Sequence, residues 1–374
     1  MREYDLTKLT ALKALLSIER IGPILLLNLL SKFSSVDEIF SASPAELKRA
    51  GNIGDTLAKR IITAGKKLEE FRNSAETEIE AATNLGAEII TFFDDDYPRL
   101  LKQISAPPIL IYVFGEIREE DENSISVVGT RRPTSYGKLQ AEKFTKELVE
   151  NNITIISGLA RGIDTIAHSA ALKFGGRTIA VIGSGLDIIY PSENKKLAER
   201  IRENGAVISE YPLGTKPDAQ NFPKRNRIIS GLSRGSLIVE TKVNGGAMYT
   251  ANFAFDQNRE VFATPGNLGV QQSEGTNFLI KRNRAKLVQT AQDIFDELNI
   301  FTDTKKERKE ILPPSDLTLF EQQIFETLSD EPIHVDKIAE AANMSAAECS
   351  AHLLTLEFKG LVKQRPGKMF TKTI

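Results

Sequence analysis

The chain holds one cysteine, Cys349, in 374 residues. A single thiol excludes a disulfide framework and a thiolate-held metal cluster. Histidine is scarce too: His168, His334 and His352 are scattered, without the spacing of metal ligands. No run of 18 apolar residues occurs, which argues against a membrane-spanning helix. The opening MREYDLTKLTALKALL is amphipathic and charged, unlike the apolar core of a signal peptide. A cytoplasmic protein without membrane attachment is expected. Nucleotide fingerprints are also missing. There is no GxxxxGKS or GxxxxGKT phosphate loop, and GSGLDIIY stops after two glycines where a dinucleotide turn needs GxGxxG. The acidic run Asp94, Asp95, Asp96 before Tyr97-Pro98 reads as a solvated turn. Neither a cofactor nor a metal is expected.

What is present is globular stock: 41% apolar and 26% charged residues, in a chain long enough for two or three domains. The net charge of -2 hides an asymmetry. Ser126 to Leu298 carries 23 Lys and Arg against 17 Asp and Glu, a net of +6, and the remainder carries 25 against 33, a net of -8. A positive centre between acidic flanks points to an anionic partner for the centre.

Three segments can be separated. Residues 1–75 read as helices, with apolar spacing in LTKLTALKALLSI and ILLLNLLSKF. SASPAELKRAGNIGDTLAKRIITAGKKLEE supplies a Ser43 cap, Pro44 at a helix start, a Gly51–Gly54 turn and a further helix, a helix-hairpin-helix-like pattern. Such turns can hold a DNA phosphate on backbone N–H groups, and the plain alternative is a small helical bundle. The earlier ERIGP has Arg20 where a hairpin would want glycine. Residues 86–298 alternate β-branched runs (AEIITFF, ILIYVFG, SISVVG, ITIIS, RTIAVIG, AVISE, SLIVE, EVFATPG, AKLVQ) with helical stretches. Unbroken apolar strands between helices predict an α/β fold, a Rossmann-like doubly wound and mainly parallel sheet. A charged, proline-broken linker over 299–315 leads to residues 316–374, whose three helical patterns and terminal strand pair predict a winged helix. Its third helix carries Glu348, His352 and Glu357, with Lys359 only at its end, which favours protein docking or an architectural role over major-groove reading.

In open α/β sheets, ligands bind at the carboxyl ends of the strands. Here those ends carry Arg131 after SVVG, Gly158 and Arg161 after ITIIS, Gly183 after RTIAVI, and Lys242 after SLIVE. Glycine N–H groups and cations together suit a wide anion site. In SGLARGIDTIAH, Arg161, Asp164 and His168 stand at i, i+3 and i+7, which predicts one face of one helix. A structural brace is favoured there, ahead of a ligand contact by Arg161 and of acid–base catalysis. The other distinctive stretch is NFPKRNRIISGLS. Pro223 at the first helical position predicts a helix over Lys224–Ser233, and Lys224, Arg225 and Arg227 then oppose its dipole. A bound polyanion accounts for them, and Phe222 offers a face on which a base can stack, a pairing that fits single-stranded nucleic acid. The alternative is a solvated basic face with Phe222 in the core.

The succession SVVGTRRPTSYG, IISGLARGIDTIAHSAAL, TIAVIGSGLDIIYPSEN, GAVISEYPLG, FPKRNRIISGLS and TPGNLGVQQSEGTNFLI resembles the DNA-processing protein A (DprA or Smf) family over roughly residues 86–290. The resemblance implies an extended Rossmann domain that binds single-stranded DNA entering the cell in natural transformation, protects it, loads the RecA recombinase, and works as a homodimer without catalysis. By motif it assigns phosphate contacts to Arg131, to Lys195 and Lys196 after YPSEN, and to Lys224, Arg225 and Arg227. It lays Phe222 against a base, and the Gly158 and Gly183 turns shape the pocket. On this basis, reversing Arg225 to Glu is expected to weaken DNA binding while leaving the fold intact. Two departures stand out. Gly245-Gly246-Ala247-Met248-Tyr249 replaces the usual Ser-Gly-Ser-Leu before Thr-Ala, and LIKRNRAKLV adds Lys281, Arg282, Arg284 and Lys286, which extend the track or sit behind it. A rival, a nucleoside-monophosphate phosphoribohydrolase on a similar sheet, is disfavoured because VNGGAMYTANFAF has no acid before Asp256. A duplex-binding regulator is disfavoured by the acidic third helix of the winged helix.

Overall fold

A computed structural model describes residues 2–33, 35–300, 317–328, 332–365 and 367–372. The chain divides into two compact units, residues 1–302 and 303–374. The expected linker, beyond Asn299 and Ile300, lies outside the described residues, as does Pro366 of the expected Pro-Gly turn.

The first unit is built on a nine-stranded sheet. Its strands are β1 (Ala87–Thr91), β2 (Leu110–Gly115), β3 (Ser124–Val128), β4 (Thr154–Ser157), β5 (Thr178–Ile182), β6 (Gly205–Ser209), β7 (Gly235–Ile238), β8 (Glu260–Ala263) and β9 (Lys286–Leu287). They lie in the order β1-β2-β6-β5-β4-β3-β7-β8-β9. β6 through β9 in that order are parallel, and β1 and β2 add an antiparallel edge. Each run of β-branched residues marked in the sequence is a strand. The central ones are buried along their whole length because helices cover both faces. Their few polar side chains are satisfied inside: Ser126 and Ser236 share a hydrogen bond of 2.6 Å between β3 and β7. From β3 the chain winds outward through β4, β5 and β6, then returns to β7 on the other side of β3. That reversal creates a switch point beside β3.

The amino-terminal segment forms six helices, Leu6–Leu16, Pro23–Leu30, Val36–Ser41, Pro44–Arg49, Asp55–Gly65 and Leu68–Leu85. Ser43 caps the fourth through a capping box with Glu46, and Gly51 takes a φ of 94° in the turn before Asp55. Arg20 adopts the left-handed φ of 77° that a glycine would take freely, so the ERIGP turn forms despite its residue. The sixth helix runs past residue 75 until Gly86, at φ 75°, ends it one residue before β1. Leu12, Leu26 and Ile61 of the helices share one hydrophobic cluster with Ile89, Tyr112 and Val207 of the sheet. The helical segment is therefore packed onto the sheet rather than separate from it.

The second unit has helices Leu319–Thr327, Val335–Ala341 and Ala346–Phe358, with β10 (Ile333–His334), β11 (Val362–Arg365) and β12 (Met369–Lys372) in the order β10-β12-β11. This is the expected three-helix winged helix with an added short strand. Cys349 is buried in its core with Phe325, Leu353 and Leu356. No described helix is long and apolar enough to cross a membrane.

Candidate nucleic-acid interface

A cavity of about 690 Å³ opens at the switch point, walled by the loops after β3, β4 and β7 and by the helix Asn221–Gly231. Of the residues assigned to DNA from the sequence, Arg131, Phe222, Arg225 and Lys242 line it, and Lys195, Lys196 and Lys224 do not. The loop after β3 is fixed by Thr130, whose N–H donates to the Glu240 carbonyl at 2.6 Å and whose carbonyl accepts from Ile163 at 3.2 Å. The loop after β4 turns through Leu159 at φ 57° and Gly162 at φ 81°. Asn194 donates to the Leu159 carbonyl at 2.9 Å, tying this turn to the segment after β5.

Phe222 is half-buried and forms a platform. Its ring centroid lies 5.7 Å from that of Tyr190, and the Arg131 guanidinium carbon stands 5.7 Å from the ring centre. Gly183 lies beneath it, where a Cβ would come to 3.2 Å from the ring and press on the platform. The helix begins at Asn221, earlier than the expected start at Lys224, and Pro223 occupies its third position. A proline is tolerated there because first-turn N–H groups lack intrahelical acceptors. Lys224 and Arg225 accordingly sit one turn in, not at the helix start.

Arg225 differs from expectation. It is 4% exposed and donates to the carbonyls of Gly158, at 2.6 Å, and Val181. Its guanidinium closes the cavity floor rather than reaching into solvent. A Cβ on Gly158 would approach both guanidinium nitrogens and the Asp164 carboxylate within 2.7 Å, so glycine is required for these groups to flank this turn. Burial pushes the Asp164 carboxyl up to about 6, against the pull of Arg225 and of the Ala160, Gly158 and Gly129 N–H groups. Burial likewise lowers Arg225, opposed by Asp164. Reversal of Arg225 to Glu would set a second buried carboxyl beside Asp164, so the expectation of an intact fold does not hold.

Arg161, Asp164 and His168 do not share one exposed face. The helix starts at Ile163; Arg161 precedes it and is exposed, whereas Asp164 and His168 are buried. His168 Nδ1 lies 2.7 Å from the Thr178 hydroxyl, which itself donates to the Ile155 carbonyl, so Nδ1 carries the proton. Burial lowers the imidazole to about 3, making it a neutral brace.

The remaining cations fall into two groups. Arg161 is held by both oxygens of Glu193 at 2.9 Å, and half-buried Arg227 is paired with Glu210. Both charges are already partnered. Arg131, Lys195, Lys196, Lys224 and Lys242 are exposed at the carboxyl-end side of the sheet and form no ion pair among the described residues. Lys281 ends the helix Glu274–Lys281, and Arg282, Arg284 and Lys286 follow it. None of the four lines the cavity: Arg284 stacks on Phe255 at 4.9 Å, and Lys286, paired in register with Phe262 of β8, forms an ion pair with Glu297.

The other lining residues include Tyr190, Thr241, Tyr249 and Thr250, to which sequence reasoning gave no ligand role. Tyr190 was legible only as the residue before PSEN. The two threonines set hydroxyl-bearing side chains in the wall despite the altered Gly-Gly-Ala-Met stretch. Glu240, just upstream of that stretch, is 1% exposed and accepts from the Thr134 N–H at 2.9 Å and its hydroxyl at 2.6 Å. Its carboxylate is committed to the start of the helix Ser135–Glu150.

These features define a doubly wound α/β protein with a cationic, aromatic-walled crevice at its switch point, joined to a winged-helix unit. The DNA recombination-mediator protein A family model matches residues 88–299, a DprA winged-helix domain matches 309–368, and a SAM-like tandem helix-hairpin-helix matches 12–67. The chain belongs to the DNA recombination-mediator protein A (DprA/Smf) family, and its role lies in DNA processing. It is 35% identical to the Smf protein of Synechocystis sp., over 95% of this chain and 96% of that one. Among solved structures, DNA processing protein A from Streptococcus pneumoniae matches with a TM-score of 0.67 at 32% identity, covering 79% of this chain and 99% of that chain. The Helicobacter pylori protein, solved for its single-stranded DNA binding mode, matches at 0.52 and 30% identity over 57% of this chain and 95% of that chain.

Proposed function

We propose that the crevice binds single-stranded DNA, with phosphates on Arg131, Lys195, Lys196, Lys224 and Lys242 and a base on the Phe222 platform. The observation that carries this is the cavity in which Arg131 stands over the Phe222 ring, seated on Gly183, with the unpaired Lys242 in the same lining. Phosphates need mobile charge, and a ring accepts any base without reading its edge. The binding mode named for the Helicobacter pylori relative supports the same ligand. Arg225, Gly158 and Gly183 shape the site from behind, and Arg161 joins only if it leaves Glu193. In this reading the protein works in the cytoplasm without catalysis, protecting incoming DNA and loading RecA during natural transformation. It acts as a homodimer through the Rossmann domain. Edge strand β9 suits such pairing, since its Lys286 and Leu287 are exposed.

The hydrolase reading gains nothing from the geometry. Glu240 is spent on Thr134, and Asp164, the carboxylate in the cavity wall, is held by the N–H groups of Gly158 and Ala160. The deciding experiment is fluorescence anisotropy of labelled oligo-dT with a duplex competitor, alongside an AMP hydrolysis assay. Tight binding that resists duplex is expected, together with no turnover. Equal affinity for duplex and single strand would overturn the proposal.

A further inference from the structure

Resting on that reading, we infer that Tyr249 is a second base-stacking platform in the crevice that holds the Phe222–Tyr190 pair. Tyr249 is one of the positions where the chain departs from its family's usual run. It stands in the first turn of the helix Gly246–Asp256. That helix buries Ala247, Thr250, Ala251 and Ala254 against the sheet. Gly246 and Tyr249, spaced i and i+3, share the other face, and both line the cavity. A Cβ on Gly246 would meet nothing within 4 Å, so the space beside the ring is open. The ring is 51% exposed. Its hydroxyl has no hydrogen-bond partner among the described residues, in contrast to Tyr97 and Tyr136, which donate to carbonyls. A large apolar ring left wet in a concave wall, with no role in holding that wall, is what a stacking surface for a flat ligand looks like.

The same cavity is lined by Tyr190 and Phe222, with Arg131 over the latter. One base of the strand lies on Phe222. The next nucleotide crosses the cavity, its base on Tyr249 and its phosphate near Lys242, seven residues earlier in the chain and also in the lining. Stacking is indifferent to base identity, so the second platform raises affinity without adding sequence preference.

The test is anisotropy titration of oligo-dT, and of the same strand with abasic sites, against wild type, Tyr249→Ala, Tyr249→Phe and Phe222→Ala. Tyr249→Ala is expected to weaken oligo-dT binding about tenfold or more, the usual range for losing one aromatic platform. Tyr249→Phe should stay within about twofold, since the ring and not the hydroxyl stacks. On the abasic strand, wild type and Tyr249→Ala should bind alike. An equal loss by Tyr249→Ala on both strands would overturn the inference, because the effect would not pass through a base. Wild-type affinity in Tyr249→Ala with a loss in Phe222→Ala would also overturn it while leaving the single-strand reading intact. No change in either variant would remove that reading itself. Melting temperature checks folding, and an exposed side chain predicts no shift.

Discussion

The division of the cations into partnered and unpartnered sets has a thermodynamic consequence that salt can measure. Each phosphate neutralised on a single strand releases condensed counterions, and log K falls against log salt with a slope of about -0.7 per contact. Eight cations were assigned to DNA by sequence or position: Arg131, Arg161, Lys195, Lys196, Lys224, Arg225, Arg227 and Lys242. All eight in contact would give a slope of about -5.6 per protomer, or roughly a 2,000-fold loss of affinity between 50 and 200 mM salt. The structure removes three. Arg225 is buried on the Gly158 and Val181 carbonyls, Arg227 is paired with Glu210, and Arg161 is held by Glu193. Five remain, predicting a slope of about -3.5 and a loss of about a hundredfold over the same range. The double variant Lys195→Ala/Lys196→Ala should lower the slope to about -2.1, while Arg227→Ala should leave it near -3.5. Anisotropy titrations of oligo-dT at four or five salt concentrations read these values directly. A wild-type slope near -5.6, or an unchanged slope in the double lysine variant, would refute the partition.

Further outcomes follow from the buried groups beneath the crevice. Arg225→Met strands two carbonyls and leaves Asp164 without its cation, a class of change that costs about 3–5 kcal/mol, so thermal denaturation should show a large drop in melting temperature. A variant as stable as wild type would contradict the buried geometry. His168 is held near 3 against about 6.5 when unfolded, so its stabilisation is complete above the unfolded value and is lost as pH falls through the window. The stability difference between wild type and His168→Asn should therefore shrink by about 2 kcal/mol from pH 7 to pH 5. Asp164 runs the other way: its folded value of about 6 is raised, so its contribution is fully present in acid and disappears as pH rises through 6. Because both proteins in that comparison keep Asp164, a flat difference would mean that His168 titrates normally. Gly183→Val should tilt the Phe222 ring and weaken oligo-dT binding severalfold with little loss of stability, as its Cβ meets a ring edge at 3.2 Å and no backbone within that distance; undiminished binding would show that the platform is not used.

Much of this molecule was legible in the linear order of residues. Local patterns sufficed for the nine strands of the sheet, because apolar β-branched runs between helical stretches have few other stable forms. They sufficed also for the winged helix, and for placing Arg131 and Lys242 at strand ends, since the carboxyl ends of a parallel sheet all point one way. The family, too, could be read from the order of its motifs. Burial could not. Arg225 stands between Lys224 and Asn226 in a basic run, and nothing local separates a guanidinium that closes a cavity floor from one that meets solvent. That depends on the carbonyls of Gly158 and Val181, 67 and 44 residues away. The pairing of Arg161 with Glu193 and of Arg227 with Glu210, the place of Tyr249 in the cavity lining, and the absence of Lys281–Lys286 from it are decisions of the same kind. Each turns on which loops the winding order brings to the switch point. The sequence by itself determined the elements and the charge available to them; only the tertiary structure decided which of those charges are left for a ligand, because a charge is free or spent according to what lies within hydrogen-bonding distance.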